Sequence, residues 1–401
     1  MRLLLLTLEV PFPPTNGHCL HLSTLIRTLA RDGHEVTLIS FADTDALEAR
    51  DTDWRALCKD VEFIPWDGST SESRHYLGRL LALASRWPYS ARRFRSEEFA
   101  QCVRHHLAAE QFEAVICDEV FALANLAENL TVPVIVDTLA IAHLLLERYL
   151  PRLRNPLQRF YVQTESRKMR RWETDQLSRA TVIAACSEVE RAELQRLCPS
   201  VPVVLLPNVV DVDSYRAVEP PDDRTLLYTG GMDWYPNQDA VEFFARQVLP
   251  RIRERIPGVK FRVSGRRPPP SMLRRFARID GVEFTGTVPE MREEINRAAL
   301  CVVPLRIAIG TRIKILEAAA LERAVVATRL GAEGLNFAEG EEIVLADEPA
   351  AFAEAVVELL IDKERRRKLG RAARRRVEES YSLTALRGAL KTVLKTVTSG
   401  E

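Results

Sequence analysis

The chain has 401 residues, of which 46% are hydrophobic and 28% are charged, and its 56 basic and 56 acidic side chains give a formal net charge of zero. This composition excludes a disordered, collagen-like or disulfide-scaffold chain, and the balanced charge excludes a global field that would recruit nucleic acid or anionic lipid. The length predicts two or three domains, each large enough for its own core.

The chain begins with an apolar run that resembles the core of a signal peptide. The run is short, Glu9 follows it and no small-residue cleavage site appears, so we predict a buried first strand instead. No apolar stretch approaches the roughly 18 residues that a membrane-spanning helix needs. Seven cysteines without a CxxC pair favour free thiols in a reducing compartment. We therefore expect a cytoplasmic protein, either free or at the inner face of the membrane.

The first half of the chain alternates short apolar runs with amphipathic stretches. Strands are predicted at residues 3–8, 35–40, 114–117 and 132–136, and a helix at residues 20–31. Alternation of this kind is typical of βαβ units, in which a parallel sheet has helices on both faces.

The same pattern restarts in the second half. Five strands are predicted at residues 226–228, 260–264, 282–284, 300–303 and 324–327. The predicted helices lie at residues 239–255, 271–278, 291–298 and 313–321, and the stretch 350–397 is helical as well. We expect ligands to bind outside the carboxyl ends of the strands in each half.

A segment rich in proline and aspartate separates the two halves. It covers residues 206–222 and is predicted to be a linker. The sequence thus predicts an N-terminal domain at 1–205 and a C-terminal domain at 223–377, both doubly wound α/β domains.

The most informative segment is PLRIAIGTRIKILEAAALERAVVAT, residues 304–328. A strand ends just before it, Gly310 lies in the loop, and Thr311 is the predicted N-cap of a helix that begins near Arg312. Helix N-termini present unpaired N–H groups and a positive dipole end, which suits phosphate. The same dipole disfavours Arg312 and Lys314 in the first turn unless an anion neutralises them.

Lys314 and Glu317 are three residues apart and share a helix face. An ordinary ion pair is one interpretation of this spacing. In the other, the carboxylate lies one turn beyond a bound phosphate and accepts both ribose hydroxyls of a nucleotide. The residues alone leave both interpretations open.

This segment resembles the second-domain signature of the family 4 glycosyltransferases, which have the GT-B fold of two Rossmann-like domains facing a central cleft. The resemblance extends over most of the chain and rests on the order and spacing of short motifs. In the first half these are PFPPTNG (11–17), RDGHEV (31–36), ACSEVERAEL (185–194) and LPNVVDVDSY (206–215). In the second half they are TGGMDWYPNQDAVEFF (229–244), VSGRRP (264–269), VEFTGTVPEM (282–291), GTRIKILEA (310–318) and VVATRLGAEGL (325–335).

The resemblance implies a donor site in the second domain. Glu317 matches the second glutamate of the family's E-x7-E motif, which binds the nucleotide ribose. Gly310 and Thr311 match the backbone that meets the diphosphate, and Val288 follows the strand whose backbone contacts the base.

Further donor contacts are implied by the loops. Asn16 and Gly17 match the glycine loop that faces the donor from the first domain. Glu333 and Gly334 lie near the sugar or phosphate, and Gly231 follows the first strand of the second domain. In this fold the C-terminal helix, here 378–401, packs back on the first domain.

The donor site departs from the family pattern at two places. The first glutamate of E-x7-E would fall at position 309, where this chain has Ile309, and the usual Arg and Lys are absent from GGMDWYPN. We expect Arg312, Lys314 and Arg266 to substitute for the missing pair, because fixed cations stabilise a leaving diphosphate without a metal.

The first domain departs as well. Relatives in this branch carry a histidine where this chain has Leu139. Asp137 ends a predicted strand, should face the cleft and is our candidate catalytic group. Asp118 and Glu119 have the same geometry and are alternatives, as is His143, although a core position is the more common role for a histidine on an apolar helix face. A helix cap or an ion pair is the alternative role for each acid.

Other signals are set aside. DxD strings at 43–45, 51–53 and 211–213 lie in polar turns or the linker and are not expected to bind a metal, and His105–His106 face different directions. The basic segments 86–95 and 152–171 are solvated helix faces or sites for an anionic acceptor such as a lipid phosphate at a membrane surface.

The sequence therefore predicts a glycosyltransferase that moves a sugar from a nucleotide-diphosphate donor to an acceptor hydroxyl. The resemblance implies retention of anomeric configuration and neither metal nor cofactor. The expected donor is a UDP-sugar, with a GDP-sugar as the alternative, and the acceptor is a glycan, a lipid-linked sugar or a small molecule. The alternatives are a catalytically silent subunit that binds a nucleotide sugar or a partner, and a nucleotide-sugar epimerase. Nucleic acid is not expected as a partner.

Overall fold

A computed structural model describes residues 1–14, 16–43, 56–66, 78–79, 82–219, 221 and 224–399. The DxD strings at 43–45 and 51–53 fall outside these residues, apart from Asp43. The chain forms two compact units, one of Met1–Pro207 with Leu386–Glu401 and one of Asn208–Ala385. Among the described residues, no helix combines the length and apolar character that a membrane crossing requires.

The first unit contains a seven-stranded sheet in the order β3-β2-β1-β4-β5-β6-β7, in which every pairing is parallel. Its strands are β1 (Arg2–Thr7), β2 (Glu35–Ala42), β3 (Asp60–Pro65), β4 (Ala114–Asp118), β5 (Val134–Thr138), β6 (Val182–Ala185) and β7 (Val203–Leu205). Because helices cover both faces of such a sheet, its central strands are continuous apolar runs. The four leucines of β1, Leu3 to Leu6, are fully buried.

Helices connect these strands. They are α1 (Gly17–Arg31), α2 (Tyr89–Arg93), α3 (Glu97–Ala109), α4 (Glu119–Ala122), α5 (Ala142–Tyr149), α6 (Pro156–Leu177) and α7 (Glu188–Leu197), with short 3₁₀ turns at Leu123–Asn125 and Leu150–Arg152. Asn16 is the N-cap of α1, where its side chain accepts a hydrogen bond from the Cys19 amide at 2.8 Å.

The second unit contains a six-stranded parallel sheet in the order β10-β9-β8-β11-β12-β13. Its strands are β8 (Thr225–Thr229), β9 (Lys260–Ser264), β10 (Val282–Gly286), β11 (Leu300–Val303), β12 (Val325–Ala327) and β13 (Val344–Leu345). The chain steps outward from β8 to β10 and then returns to the other side of β8 with β11. The carboxyl ends of β8 and β11 therefore flank the topological switch point, where ligands bind in sheets of this kind.

The helices of the second part of the chain follow the same alternation. They are α8 (Tyr235–Phe243), α9 (Leu249–Arg255), α10 (Pro270–Phe276), α11 (Met291–Asn296), α12 (Ile313–Ala320), α13 (Arg329–Ala332), α14 (Pro349–Ile361), α15 (Lys363–Ser380) and α16 (Leu383–Ser399), with a 3₁₀ turn at Val212–Ser214. The structure confirms the predicted α/β class and its two parallel sheets.

The predicted boundaries differ from the observed ones where the apolar pattern is short or interrupted. The single helix predicted at 239–255 begins at Tyr235 and is divided by a π-helical turn at Phe244–Val248. Strands β3, β7 and β13 are not among the predicted ones, whereas β6 coincides with the apolar run before Cys186, which also predicts a strand. The strand predicted at 132–136 begins only at Val134, since Pro133 has no amide hydrogen to donate.

Two glycines in helices differ in the space around their Cα atoms, and substitution of each by alanine tests the packing of α15. In α15 a Cβ on the buried Gly370 would overlap the carbonyl of Glu322, whereas in α16 a Cβ on the exposed Gly388 would meet no atom within 4 Å. We predict that Gly370→Ala lowers the free energy of unfolding by about 1–3 kcal/mol, because backbone must move. Gly388→Ala should be neutral or raise it by about 0.5–1 kcal/mol. Denaturant unfolding checks both, and equal effects would contradict this packing.

Candidate functional site

The junction between β11 and α12 forms the centre of the candidate site. Gly310 has a φ of +71°, in the left-handed region that favours glycine. Helix α12 then begins at Ile313 with Arg312 as its N-cap. The prediction of Thr311 as the N-cap is wrong, because the left-handed turn at Gly310 delays the helix by one residue. The Thr311 hydroxyl instead accepts a hydrogen bond from Asn208 Nδ2 at 2.7 Å.

Lys314 lies in the first turn of α12 and turns its ammonium group toward the end of β8. Its Nζ is 3.3 Å from Asn237 Oδ1 and 4.1 Å from the centre of the Tyr228 ring. A Cβ added to Gly230 would lie 2.9 Å from this Nζ, so glycine leaves the ammonium room there. Burial, together with the positive charge of Arg312, lowers the pKa of Lys314 to about 7.

Glu317 lies one turn further along α12. It accepts a hydrogen bond from the Tyr215 hydroxyl at 3.1 Å, and between the described residues Lys314 and Glu317 no salt bridge forms. Burial raises the pKa of Glu317 to about 7, although Tyr215 and Lys314 act in the opposite direction. An ordinary ion pair therefore does not explain the Lys314–Glu317 spacing.

Two consecutive glycines follow β8 and bring the chain close to β9. The Gly230 amide donates to the Ser264 carbonyl at 2.9 Å, and Asn237 Nδ2 donates to the Gly231 carbonyl at 2.7 Å. Arg266 packs beside Gly231, where a Cβ would lie 3.3 Å from Arg266 Cγ. Its Nε is 3.2 Å from Asp233 Oδ2. Lys314 thus lies beside Gly230, and Arg266 lies beside Gly231.

Arg312 extends toward the loop after α13. Its Nη2 donates to the backbone carbonyl of Glu333, the C-cap of α13, and Gly334 follows with a φ of +81°. The loop between β10 and α11 contains the half-buried Val288, and the half-buried Ile309 directly precedes Gly310. Of the three cations expected to replace the missing pair, two flank Gly230 and Gly231 and the third binds the 333–334 loop.

A polar network in the first unit surrounds His18, the second residue of α1. Its Nε2 is 2.7 Å from Asp118 Oδ1 and its Nδ1 is 2.8 Å from Glu9 Oε1. Asn16 Nδ2 donates to Glu9 at 3.1 Å, and the Leu8 amide donates to Asp118 at 3.3 Å. These residues lie at the carboxyl ends of β1 and β4, where the strand order of this sheet reverses.

The charges of this network favour protonated His18. Burial alone would lower the pKa of His18, but Asp118 and, to a smaller extent, Glu9 raise it well above its usual value. The neighbouring Glu119 has a φ of +63°, and burial with the charge of Asp118 raises its pKa well above the usual value. The site therefore combines an imidazolium with a carboxyl group that resists ionisation.

The two remaining candidates of the first unit, Asp137 and His143, are paired in its interior. Asp137 Oδ2 is 2.7 Å from His21 Nε2, and both residues are at most 3% exposed. Asp137 Oδ1 has no hydrogen-bond partner in the described part of the chain. His143 Nδ1 is 2.6 Å from Glu173 in the interior, and the Leu139 carbonyl accepts from Cys186 Sγ at 3.3 Å. The catalytic role of Asp137 stays a prediction.

Sequence reasoning missed several of these groups. Tyr215, Tyr228 and Asn237 contact Lys314 or Glu317 from 77 to 102 residues away, a proximity that no local pattern reveals. His18 directly follows the Asn16–Gly17 pair, and its position after the glycine loop is the signal that would have identified it.

Two family models match the chain. The model described as "Glycosyltransferase Family 4" matches residues 15–214, and that described as "Glycosyl transferases group 1" matches residues 223–362. Together the two matches cover most of the chain. No sequence among curated proteins matches it significantly.

Several solved structures have the same fold. Sucrose-phosphate synthase from Thermosynechococcus elongatus has a TM-score of 0.77 at 16% identity over 100% of both chains. HepE of Anabaena, solved with UDP-glucose, has a TM-score of 0.65 at 13% identity over 99% of both chains. The α,α-trehalose 6-phosphate synthase of Burkholderia multivorans has a TM-score of 0.64 at 13% identity and covers 100% of this chain and 99% of its own. The predicted GT-B fold is confirmed.

The His18 network generates a prediction. Asp118 raises the pKa of His18 more than Glu9 does. Asp118→Asn should therefore lower the pKa of His18 further than Glu9→Gln does. Titration of the histidine ring signals by NMR measures both shifts. His34, which lies outside the network, is the internal reference. A His18 pKa unchanged by Asp118→Asn would contradict the network.

Proposed function

The chain belongs to the family 4 glycosyltransferases, and we propose that it transfers a sugar from a nucleoside diphosphate donor to an acceptor hydroxyl with retention of anomeric configuration. The observation that carries the donor assignment is the position of Lys314. Its ammonium lies at the positive end of α12, beside Arg312, at the carboxyl end of β8. A diphosphate bound here would offset the repulsion between the charges of Lys314 and Arg312. It would also interact with both cations and with the unpaired N–H groups at the start of α12.

In this proposal Lys314 and Arg266 stabilise the diphosphate as it leaves. They lie beside Gly230 and Gly231, whose missing Cβ atoms leave room for the Lys314 ammonium at the first glycine and for the Arg266 side chain at the second. Negative charge develops on the leaving oxygen during transfer, and fixed cations lower the barrier by binding that charge. No metal is required in this account. Arg312 contributes its charge while it orders the loop at Glu333 and Gly334.

Glu317 is proposed to bind the nucleotide ribose. Its carboxylate lies one helical turn beyond Lys314, and an ionised carboxylate accepts hydrogen bonds from two vicinal hydroxyls. Tyr215 holds the carboxylate in the absence of donor. Val288 is assigned to the base. A UDP-sugar is the preferred donor, since HepE of Anabaena was solved with UDP-glucose, and a GDP-sugar is the alternative.

The acceptor is assigned to the first unit, where the His18 network lies at the carboxyl ends of β1 and β4. We propose that the acceptor oxygen attacks from the face that the diphosphate leaves, and that a leaving phosphate oxygen takes its proton. Asn16, which donates to Glu9 in this network, and the following Gly17 are assigned to donor binding. The catalytic role of Asp137 is kept as a proposal: its Oδ1 is buried and has no hydrogen-bond partner in the described part of the chain, so an acceptor reaches it only if the interior around His21 opens.

Contact with an anionic membrane surface is proposed for the basic segments. At the start of α6, Leu157 is 80% and Phe160 65% exposed among exposed arginines. The segments 86–95 and 152–171 lie side by side, because the Tyr89 amide donates to Glu165 at 2.6 Å. Apolar side chains surrounded by arginines suit a bilayer interface. An acceptor linked to a lipid would be presented there.

The donor site predicts a dependence on lysine charge. Lys314→Ala should weaken binding of UDP-glucose by about 10- to 100-fold, the range of a charge-assisted hydrogen bond. It should also abolish the slow hydrolysis of UDP-glucose that releases UDP when no acceptor is present. Lys260→Ala, at an exposed ion pair with Glu283 in the same unit, is the control and should bind normally. Isothermal titration measures both. Equal affinity in Lys314→Ala and wild type would contradict the assignment.

The same site predicts an affinity maximum near pH 7. Diphosphate binding requires cationic Lys314, so affinity falls as pH rises above its pKa of about 7. Ribose binding requires ionised Glu317, so affinity also falls as pH drops below its pKa of about 7. Each limb should approach about tenfold per pH unit. Lys314→Arg should remove the alkaline limb and Glu317→Gln the acidic one, as measured by isothermal titration. A flat profile in wild type would contradict both assignments.

Vesicle binding tests the membrane surface. The wild-type chain should sediment with vesicles that contain phosphatidylglycerol, and the double variant Leu157→Ser, Phe160→Ser should bind several-fold less. Ile361→Ser removes an apolar side chain that is 66% exposed in the second unit and should bind as wild type. Sedimentation that is absent in wild type, or equal in all three proteins, would contradict the proposal.

A further inference from the structure

A second cluster of polar side chains lies far from the donor site in the chain, between β3 and α3. It contains Asp60, Glu62 and His106, whose ligand atoms all lie within 4.8 Å of one another. Asp60 and Glu62 are two residues apart on β3 and so extend from the same face of the strand. His106 lies in the last turn of α3, which follows in the chain after β3. Three groups that bind metals thus converge from two elements.

The histidine of this cluster is largely buried. His106 is only 8% exposed, and among the described residues its ring nitrogens form no hydrogen bond. Its ring packs edge-on against that of His105 at 5.9 Å. A buried imidazole that faces two carboxylates without such a bond has unused coordination capacity.

Negative charge accumulates around the cluster. The nearby Lys59 is 2.8 Å from Glu110 and 3.7 Å from Glu35, so its charge is shared between those two acids. Within the described part of the chain neither Asp60 nor Glu62 forms a salt bridge. Cys102 lies one helical turn before His106, and burial together with Glu62 and Asp60 raises the pKa of its thiol to about 11. The surroundings favour a cation.

We propose that Asp60, Glu62 and His106 bind a divalent transition-metal ion, with Zn²⁺ as the preferred ion. One imidazole nitrogen and two carboxylate oxygens form a ligand set that suits zinc, which leaves a further position for water. Small side-chain rotations suffice to bring the three ligand atoms to one ion, because they already lie within 4.8 Å of each other.

The site is structural rather than catalytic in this proposal. Asp60 is the first residue of β3, so the cluster lies at the amino end of the parallel strands. The His18 network lies at their carboxyl ends. β3 is also one of the two edge strands of the seven-stranded sheet. A bound ion joins this edge strand to α3 and stabilises the folded first unit.

Titration of the chelator-treated full chain with ZnCl₂ tests the proposal. One tight site is expected in wild type and in His105→Ala, whose exposed imidazole is the matched control. His106→Ala should weaken that site at least tenfold, and Zn²⁺ should raise the melting temperature of wild type and His105→Ala but not of His106→Ala.

Glu62→Gln provides a second variant at an exposed position, should His106→Ala fail to fold. It should also weaken the site at least tenfold while its melting temperature without metal stays that of wild type. Absence of stoichiometric Zn²⁺ binding in wild type would overturn the proposal. Equal affinity in wild type and Glu62→Gln, or equal loss in His105→Ala and His106→Ala, would overturn it as well.

Discussion

An unfavourable placement of charge constrains the second unit: a lysine ammonium lies at the positive end of a helix, beside an arginine. Burial and Arg312 together lower the pKa of Lys314, so the folded chain does not fully stabilise this cation by itself. The neighbouring features are consistent with an anionic ligand. Gly230 leaves space, Asn237 positions the ammonium and the adjoining glycine carbonyl, and Gly310 sets the start of α12. In the proposed function, a bound diphosphate offsets the cost of this placement.

Much of this arrangement could be predicted from the sequence, for physical reasons. Buried parallel strands are continuous apolar runs, so the leucines of β1 and the valines of β11 indicate these two strands in the sequence. The cations at the start of α12 are conspicuous because the helix dipole disfavours them. In contrast, β13 has only two residues, and β3 alternates between exposed and buried side chains at a sheet edge. Neither pattern is distinct from that of a loop.

The remaining features depend on contacts between distant parts of the chain. The N-cap of α12 is Arg312 and not the predicted Thr311, because the backbone turns at Gly310. Thr311 is instead hydrogen-bonded to Asn208, which lies over a hundred residues away in the chain. The same holds for Asp118 and His18. The sequence indicates that Asp118 ends a strand, but not that an imidazolium lies against it. Long-range pairing, rather than local preference, decides which acids are available for chemistry.

The two sheets divide their polar groups in a consistent way. The groups assigned to donor and acceptor lie at carboxyl ends of strands, as is general for open parallel sheets. Of the proposed zinc ligands, Asp60 and Glu62 lie near the amino end of an edge strand and His106 on α3, and the proposed role of the site is structural.

The most direct test of the donor site is amide hydrogen exchange of the full chain with and without saturating UDP-glucose. The account predicts slower exchange at residues 230–232, 265–266 and 310–317, because the diphosphate engages the backbone at these positions. Unchanged exchange in these three segments, with slowing confined to other parts of the chain, would contradict it.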